Sequence, residues 1–168
     1  MTSPTPSDQP TAGSTLIIWI DADSSPRDVK EIVFRASKRL NLPVRLVANQ
    51  TIYAPASSGR IQSITVSSGA NVADKYIVDH VSPGDLVITA DIPLAAQLVD
   101  KQVWVLDPRG LLLDDSNVRS RLAARDIMDA ARGAGMEISG PSPYNNQNKT
   151  AFASALDRIL TKATRKKC

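Results

Sequence analysis

The segment Ile17-Ile18-Trp19-Ile20-Asp21-Ala22-Asp23-Ser24-Ser25-Pro26 runs from apolar residues into two carboxylates and then into a helix start. Such a run suits a buried strand, which delivers the acids that follow it to its carboxyl edge. Period-two alternation along the strand would point Asp21 and Asp23 the same way. Two neighbouring carboxylates repel one another, and a hard divalent cation taking oxygen ligands is the simplest compensation. Ser25 is placed to cap the next helix. Pro26 suits its first turn, where an amide hydrogen would go unpaired, and Asp28 favours the positive end of its dipole. The free amides of a helix start also suit an anion such as phosphate, so the junction fits a cation bridging carboxylates and a phosphodiester.

Beyond this junction, short apolar runs alternate with helical patterns, which predicts an α/β domain around a central, mostly parallel sheet. Strands are expected over 16–20, 44–47, 61–66, 86–89 and 103–106, and helices over 26–40, 71–81 and 93–100. After the last strand the pattern turns helical, over 117–132 and 149–164. Val118, Leu122, Ile127, Met128 and Ala131 form the apolar face of the first of these helices. They should pack on the sheet or on the final helix. Residues 51–59 and the Gly140-Pro141-Ser142-Pro143 stretch carry loop chemistry.

The strand-acid-helix construction recurs. Leu86-Val87-Ile88-Thr89-Ala90-Asp91-Ile92-Pro93 repeats it, and Val103-Trp104-Val105-Leu106-Asp107-Pro108-Arg109-Gly110 ends another strand in an acid. In a doubly wound sheet of order 3-2-1-4-5 the three acid-bearing strands are neighbours, and ligands bind beyond the carboxyl ends where strand order reverses. Asp21, Asp23 and Asp91 would then converge. Asp107, and Asp74 from the first turn of its helix, are further candidates, although turn and cap roles are ordinary for acids in such places. Thr89 and Ser25 are expected to hydrogen-bond phosphate or water, and Arg109 and Arg125 to contact phosphate. Arg125 has salt bridging with Asp126 as its alternative. His80 is the only histidine, which excludes a His-rich zinc site. It is expected at a helix end, with Asp79 solvated or ion-paired.

Composition narrows the class. With 168 residues and 42% hydrophobic content, one domain with an adequate core is expected, over residues 15–162. Residues 1–14, rich in Ser, Thr, Pro and Gly, are expected to be a disordered leader. No apolar stretch approaches the roughly 18 residues of a spanning helix, so no membrane partner is expected. The sole cysteine, Cys168, can make no internal disulfide, which fits a cytoplasmic setting. The net charge of +3 is concentrated in the basic tail, residues 163–168 with Lys162 before it. A nearly neutral body favours a short or structured RNA over a long duplex.

Several ordered motifs together resemble one family. They are Asp21-Ala22-Asp23 followed by Pro26, the run Gly84-Asp85-Leu86-Val87-Ile88-Thr89-Ala90-Asp91-Ile92-Pro93-Leu94-Ala95, then Leu106-Asp107-Pro108-Arg109-Gly110 and Arg121-Leu122-Ala123-Ala124-Arg125-Asp126. With Phe152-Ala153-Ser154-Ala155-Leu156-Asp157-Arg158 they resemble the YaiI/YqxD family of uncharacterised bacterial proteins, from residue 15 to about 160. The resemblance implies a PIN-like domain, a fold whose active members are metal-dependent ribonucleases with clustered acids at the carboxyl edge of a parallel sheet. This chain has Ser25 where family members commonly carry cysteine, so thiol chemistry is not expected of it.

Three functional classes follow. In the first, a nuclease, Asp21 and Asp91 ligate Mg²⁺ or Mn²⁺, with Asp23, Asp74 or Asp107 holding a second ion or water, and the substrate is RNA. The second is a noncatalytic binding module that keeps the acidic cleft. The third rests on the likeness of Asp21-Ala22-Asp23-Ser24-Ser25 to the opening of haloacid-dehalogenase-like phosphatases, with Asp21 as nucleophile. Metal-dependent turnover separates the enzymes from the module, and a phosphoaspartate separates the phosphatase.

Overall fold

The computed structural model of the chain describes residues 16–52, 59–69, 71–137 and 142–165. The expected leader, most of the loop over 51–59, the Gly140-Pro141 turn, and residues 166–168 of the basic tail with Cys168 lie outside the described residues.

Strand β1 (Ile18–Asp21) leads through a 3₁₀ turn to α1 (Arg27–Leu40), then β2 (Val44–Ala48), β3 (Ile61–Thr65) and α2 (Val72–His80). There follow β4 (Leu86–Ile88), α3 (Ile92–Val99), β5 (Trp104–Leu106), β6 (Leu112–Leu113), α4 (Val118–Gly133) and α5 (Asn146–Arg165). The sheet has the order β3-β2-β1-β4-β5-β6. Its first five strands run parallel in the expected order. The sixth, β6, pairs antiparallel with β5. It escaped the sequence pattern because Leu112 and Leu113 are too short a run to show alternation.

Side-chain alternation sorts the sheet into two cores. Ile18, Ile20, Leu46, Leu86, Ile88 and Leu106 face α1 and α5, whereas Trp19, Val47, Val87 and Val105 pack with Ile77 of α2 and Leu94 and Leu98 of α3. A strand covered on both faces has little room for polar side chains, which is why the central strands β4 and β5 and the body of β1 read as apolar runs, whereas the edge strand β3 carries Gln62, Ser63 and Thr65. The same alternation places Asp21, two residues beyond Trp19, on the side of α2 and α3. Thr89, two residues beyond Val87, follows it.

The amino edge of the sheet is held by an acid not singled out from sequence. Asp85, 5% exposed, accepts hydrogen bonds from the Ile17 backbone and the Trp19 indole, each at 3.0 Å. The Ser82 amide donates to it as well, at 3.0 Å. It thereby ties the start of β4 to the start of β1. Helix α4 departs from expectation in the other direction. Only Val118 of its apolar face is buried, Leu122 and Ala131 are half-buried, and Ile127 and Met128 are 69% and 37% exposed. The helix rests on α3 by one edge, so the 3.6 periodicity marks a face that this fold leaves largely in solvent.

Replacing Asp85 by alanine would leave the buried indole and two backbone amides without their acceptor. Asp85→Ala is expected to lower unfolding free energy by about 3 kcal/mol, measured by urea denaturation followed through tryptophan fluorescence.

Candidate active site at the carboxyl edge

Strands β1 and β4 are neighbours on opposite sides of the reversal in strand order, and their carboxyl ends carry the acids. Asp21 closes β1 and is buried. Its Oδ2 accepts the Thr89 hydroxyl at 2.8 Å and the Ser24 hydroxyl at 2.9 Å. Thr89, fully buried, accepts in turn from the Asp91 amide at 3.0 Å. The Ser24 hydroxyl accepts from the Ala90 amide at 3.3 Å. Two hydroxyls thus lock the end of β1 to the β4–α3 junction.

Asp91 is the N-cap of α3, its Oδ1 accepting from the Leu94 amide at 3.0 Å. Asp74 enters from the first turn of α2. Asp23 arrives by a route different from the expected one. Residues Ala22–Ser24 form a 3₁₀ turn, so strand alternation does not align Asp23 with Asp21. The turn instead swings Asp23 to the surface, where its Oδ2 accepts from the Asn49 amide at 3.1 Å.

Asp21, Asp23, Asp74 and Asp91 all line one cavity of about 240 Å³, together with Ser24, Asn49 and Asn71, and no basic side chain is among its described lining residues. Crowding of like charge shows in the acids themselves. Burial pushes the Asp21 carboxyl up from its ordinary value against the opposing hydrogen bonds from Thr89 and Ser24, with Asp91 and Asp23 adding repulsion. Asp74 rises from the ordinary 3.8 to about 6, through burial first, then the charges of Asp91 and Asp21 and a hydrogen bond with the Asp91 carboxyl.

The remaining candidates fall elsewhere. Asp107 accepts from the Arg109 and Leu111 amides at 2.8 and 3.2 Å and so builds its own turn. The Arg109 guanidinium is engaged by Asn148 at 3.1 Å and by the Ser142 carbonyl. Tyr144 bonds the Pro108 carbonyl at 2.8 Å. Gly110, at φ 96°, lies where a Cβ would stand 2.7 Å from the Ala151 backbone. This Asp-Pro-Arg-Gly turn is therefore the seat of α5, and neither Asp107 nor Arg109 lines the acidic cavity. Arg125 faces Asp129 at 4.0 Å on exposed α4, so its partner is the acid one turn on and not Asp126. Ser25 does not cap α1, whose N-cap is Pro26. Its hydroxyl donates to the Asp21 carbonyl at 3.0 Å. Thr89 and Ser25 thus hold Asp21 in place from beneath the cavity. Asp79 pairs with Lys75 at 3.0 Å and His80 ends α2, both as expected.

Ser24 and Asn49 were not anticipated. A serine between two acids and a proline looks like an ordinary turn residue, and Asn49 joins the site only through the parallel pairing of β2 with β1.

Thr89→Val keeps the side chain's shape and removes the donor. The Asp21 carboxyl is expected to rise further, visible by ¹³C NMR titration, with a stability loss of about 1–2 kcal/mol. Asp74 holds its proton more tightly folded than unfolded. This group should therefore cost stability as pH rises from 3.8 through about 6 and return it on acidification, which thermal melts across that range in the presence of a chelator would record.

The sequence pattern of the YaiI/YqxD family, described as an uncharacterised BCR, matches residues 19–162. A UPF0178 protein of Trichlorobacter lovleyi is 51% identical over 150 residues, covering 89% of this chain and 97% of that one. A UPF0178 protein of Geobacter metallireducens is 52% identical over 148 residues, covering 88% and 95%. One of Hahella chejuensis is 47% identical over 148 residues, covering 88% and 98%. Matched along its body by the family pattern, and near half identical to relatives over almost their whole length, the chain belongs to the YaiI/YqxD family.

Proposed function

We propose that this protein is a divalent-metal-dependent nuclease that hydrolyses RNA phosphodiesters at the acidic cavity. The observation that supports this reading is the convergence of Asp21, Asp23, Asp74 and Asp91 on one cavity with no basic residue among its described lining. Carboxylates gathered this closely are relieved either by protons, as the raised Asp74 records, or by a cation.

The donor set suits one kind of cation better than others. Among the described residues no group of three or more acids, histidines or cysteines stands ready to hold a metal by itself, which argues against a closed structural site of the zinc type. Mg²⁺ retains several waters and binds through one or two carboxylates together with substrate phosphate oxygens. An open, all-oxygen cavity fits that habit, and Mn²⁺ shares the preference for oxygen. Asp21 and Asp91 would hold the ion together with water and substrate oxygens, with Asp74 and Asp23 lining the cavity beside it. When bound, the ion polarises phosphoryl oxygen and offsets charge on the leaving oxygen.

The chain's own groups do the rest. Thr89 and Ser24 keep the Asp21 carboxylate aimed along one direction by engaging its Oδ2. Asp91 is fixed at the head of α3 by the Leu94 amide. Asp74, with its proton released near pH 6, is suited to take a proton from an attacking water at its carboxylate oxygen, because a base works best when its pKa lies near the operating pH. A phosphodiester, being anionic, can approach this cavity only with a cation, so binding and metal loading are coupled.

The test pairs calorimetry of Mn²⁺ binding with cleavage of a short fluorescent single-stranded RNA. Wild type should bind Mn²⁺ more tightly as pH rises through about 6, since the Asp74 carboxyl beside the ion then gives up its proton and adds negative charge to the cavity. Asp21→Asn and Asp91→Asn should each lower cleavage on the order of a hundredfold, with circular dichroism unchanged. Absence of Mn²⁺ binding and of metal-dependent cleavage by the wild type would overturn the nuclease reading in favour of a noncatalytic module.

A further inference from the structure

We infer that the groove between α2 and α3 is the subsite for one base of a single-stranded RNA whose adjoining phosphodiester lies in the acidic cavity, an inference that rests on the nuclease reading above. The groove is open to solvent, has a volume of about 890 Å³ and is lined by Ser67, Lys75, Tyr76, His80, Pro93 and Gln97 among others. That volume lies within the range of roughly 300–1,000 Å³ typical of ligand sites. Asn71 and Asp74 line both this groove and the acidic cavity, so the two adjoin across the first turn of α2, and a ligand that passes over that turn would reach both.

The chemistry of the groove differs from that of the cavity. Tyr76 and His80, one helical turn apart on α2, stack with centroids 3.9 Å apart and planes 14° from parallel. Trp19 backs the tyrosine ring at 6.4 Å. The His80 ring is held by its Nδ1, 2.7 Å from the Tyr76 carbonyl oxygen. Here is a stacked pair of flat rings of which the outer, His80, is exposed. The pairing of an anchored ring with an exposed one adds little to the core, yet it makes a platform on which a base can stack with little loss of entropy. Gln97 is exposed on the facing helix and presents both a donor and an acceptor to a base edge. A base can reach such a platform only when it is free of its own stack and pairing partner, which selects a single strand over a duplex.

His80 is the only histidine of the sequence, so its imidazole protons report on the groove without ambiguity. The experiment is a proton NMR titration of the full chain with the RNA dinucleotide adenylyl-adenosine, in Ca²⁺ as an oxygen-liganded replacement for Mg²⁺ chosen to limit turnover, against ribose 5-phosphate and inorganic phosphate. Stacking should move the His80 resonances upfield with the dinucleotide and leave them in place with the two phosphates. His80→Ala should weaken dinucleotide binding about tenfold, His80→Phe should restore it by keeping a flat ring, and both should bind Mn²⁺ as the wild type does. Equal shifts with ribose 5-phosphate, or unchanged dinucleotide affinity in His80→Ala, would overturn the inference. Metal-dependent cleavage without a His80 shift would sink the base subsite and leave the nuclease reading standing. A His80 shift without metal-dependent cleavage would do the reverse.

Discussion

The pairing of β1 with β4 is the contact on which the acidic edge depends. The register sets Ile20 beside Ile88, and both ends of the pair are tied by a carboxylate reaching across it. At the amino end Asp85 of the β4 side takes up the Ile17 amide and the Trp19 indole. At the carboxyl end Asp21 of β1 takes up the Thr89 hydroxyl. Parallel neighbours cannot be joined by a tight turn, so the chain must travel through α1, β2, β3 and α2 before β4 returns to the far side of β1. That detour reverses the strand order and opens the crevice into which α2 and α3 deliver Asp74 and Asp91.

The acids of this fold divide by the company they keep. Asp85 and Asp107 are met by backbone amides, and Asp114 lies below its ordinary range because Ser116 and Asn117 donate to it. Those carboxylates organise turns. Asp21 and Asp74 instead lie above the ordinary range, pushed by burial and by other acids. Protein folding does not gain from gathering charge this way, and such perturbed groups in a cleft are where function is to be sought. The adjoining recess, with its stacked rings and amide, is chemically suited to the neutral part of a ligand whose charged part the acids would meet through a cation.

Much of this was legible from local pattern. The parallel strands and all five helices lie within a few residues of the positions that periodicity and capping signals predict, because each signal comes from a short window. Acid followed by proline-started helix correctly marked the end of β4, and Asp91 is the N-cap of α3 as well as a cavity residue. The same signal misled at β5, where Asp107-Pro108-Arg109-Gly110 is just as acidic but seats α5 against Gly110. Nothing in a window of ten residues distinguishes an acid that closes a turn from one that faces a cavity. The face of α4 was legible as apolar, but its exposure was not, since burial depends on what another element covers.

By itself the sequence determined the kinds of elements and their order, the apolar strands, the helix starts and the presence of acids at strand ends, because each follows from backbone sterics and side-chain polarity over a few residues. Only the tertiary structure decided which acids meet. Asp74 joins Asp21 and Asp91 because α2 packs on the face toward which Trp19 and Asp21 both point. Asp23 reaches the cavity from a 3₁₀ turn in place of strand alternation, held there by the Asn49 amide beyond the end of β2. Both depend on contacts between residues far apart in the chain, and the energy that selects them is shared across a packed core that no single segment encodes.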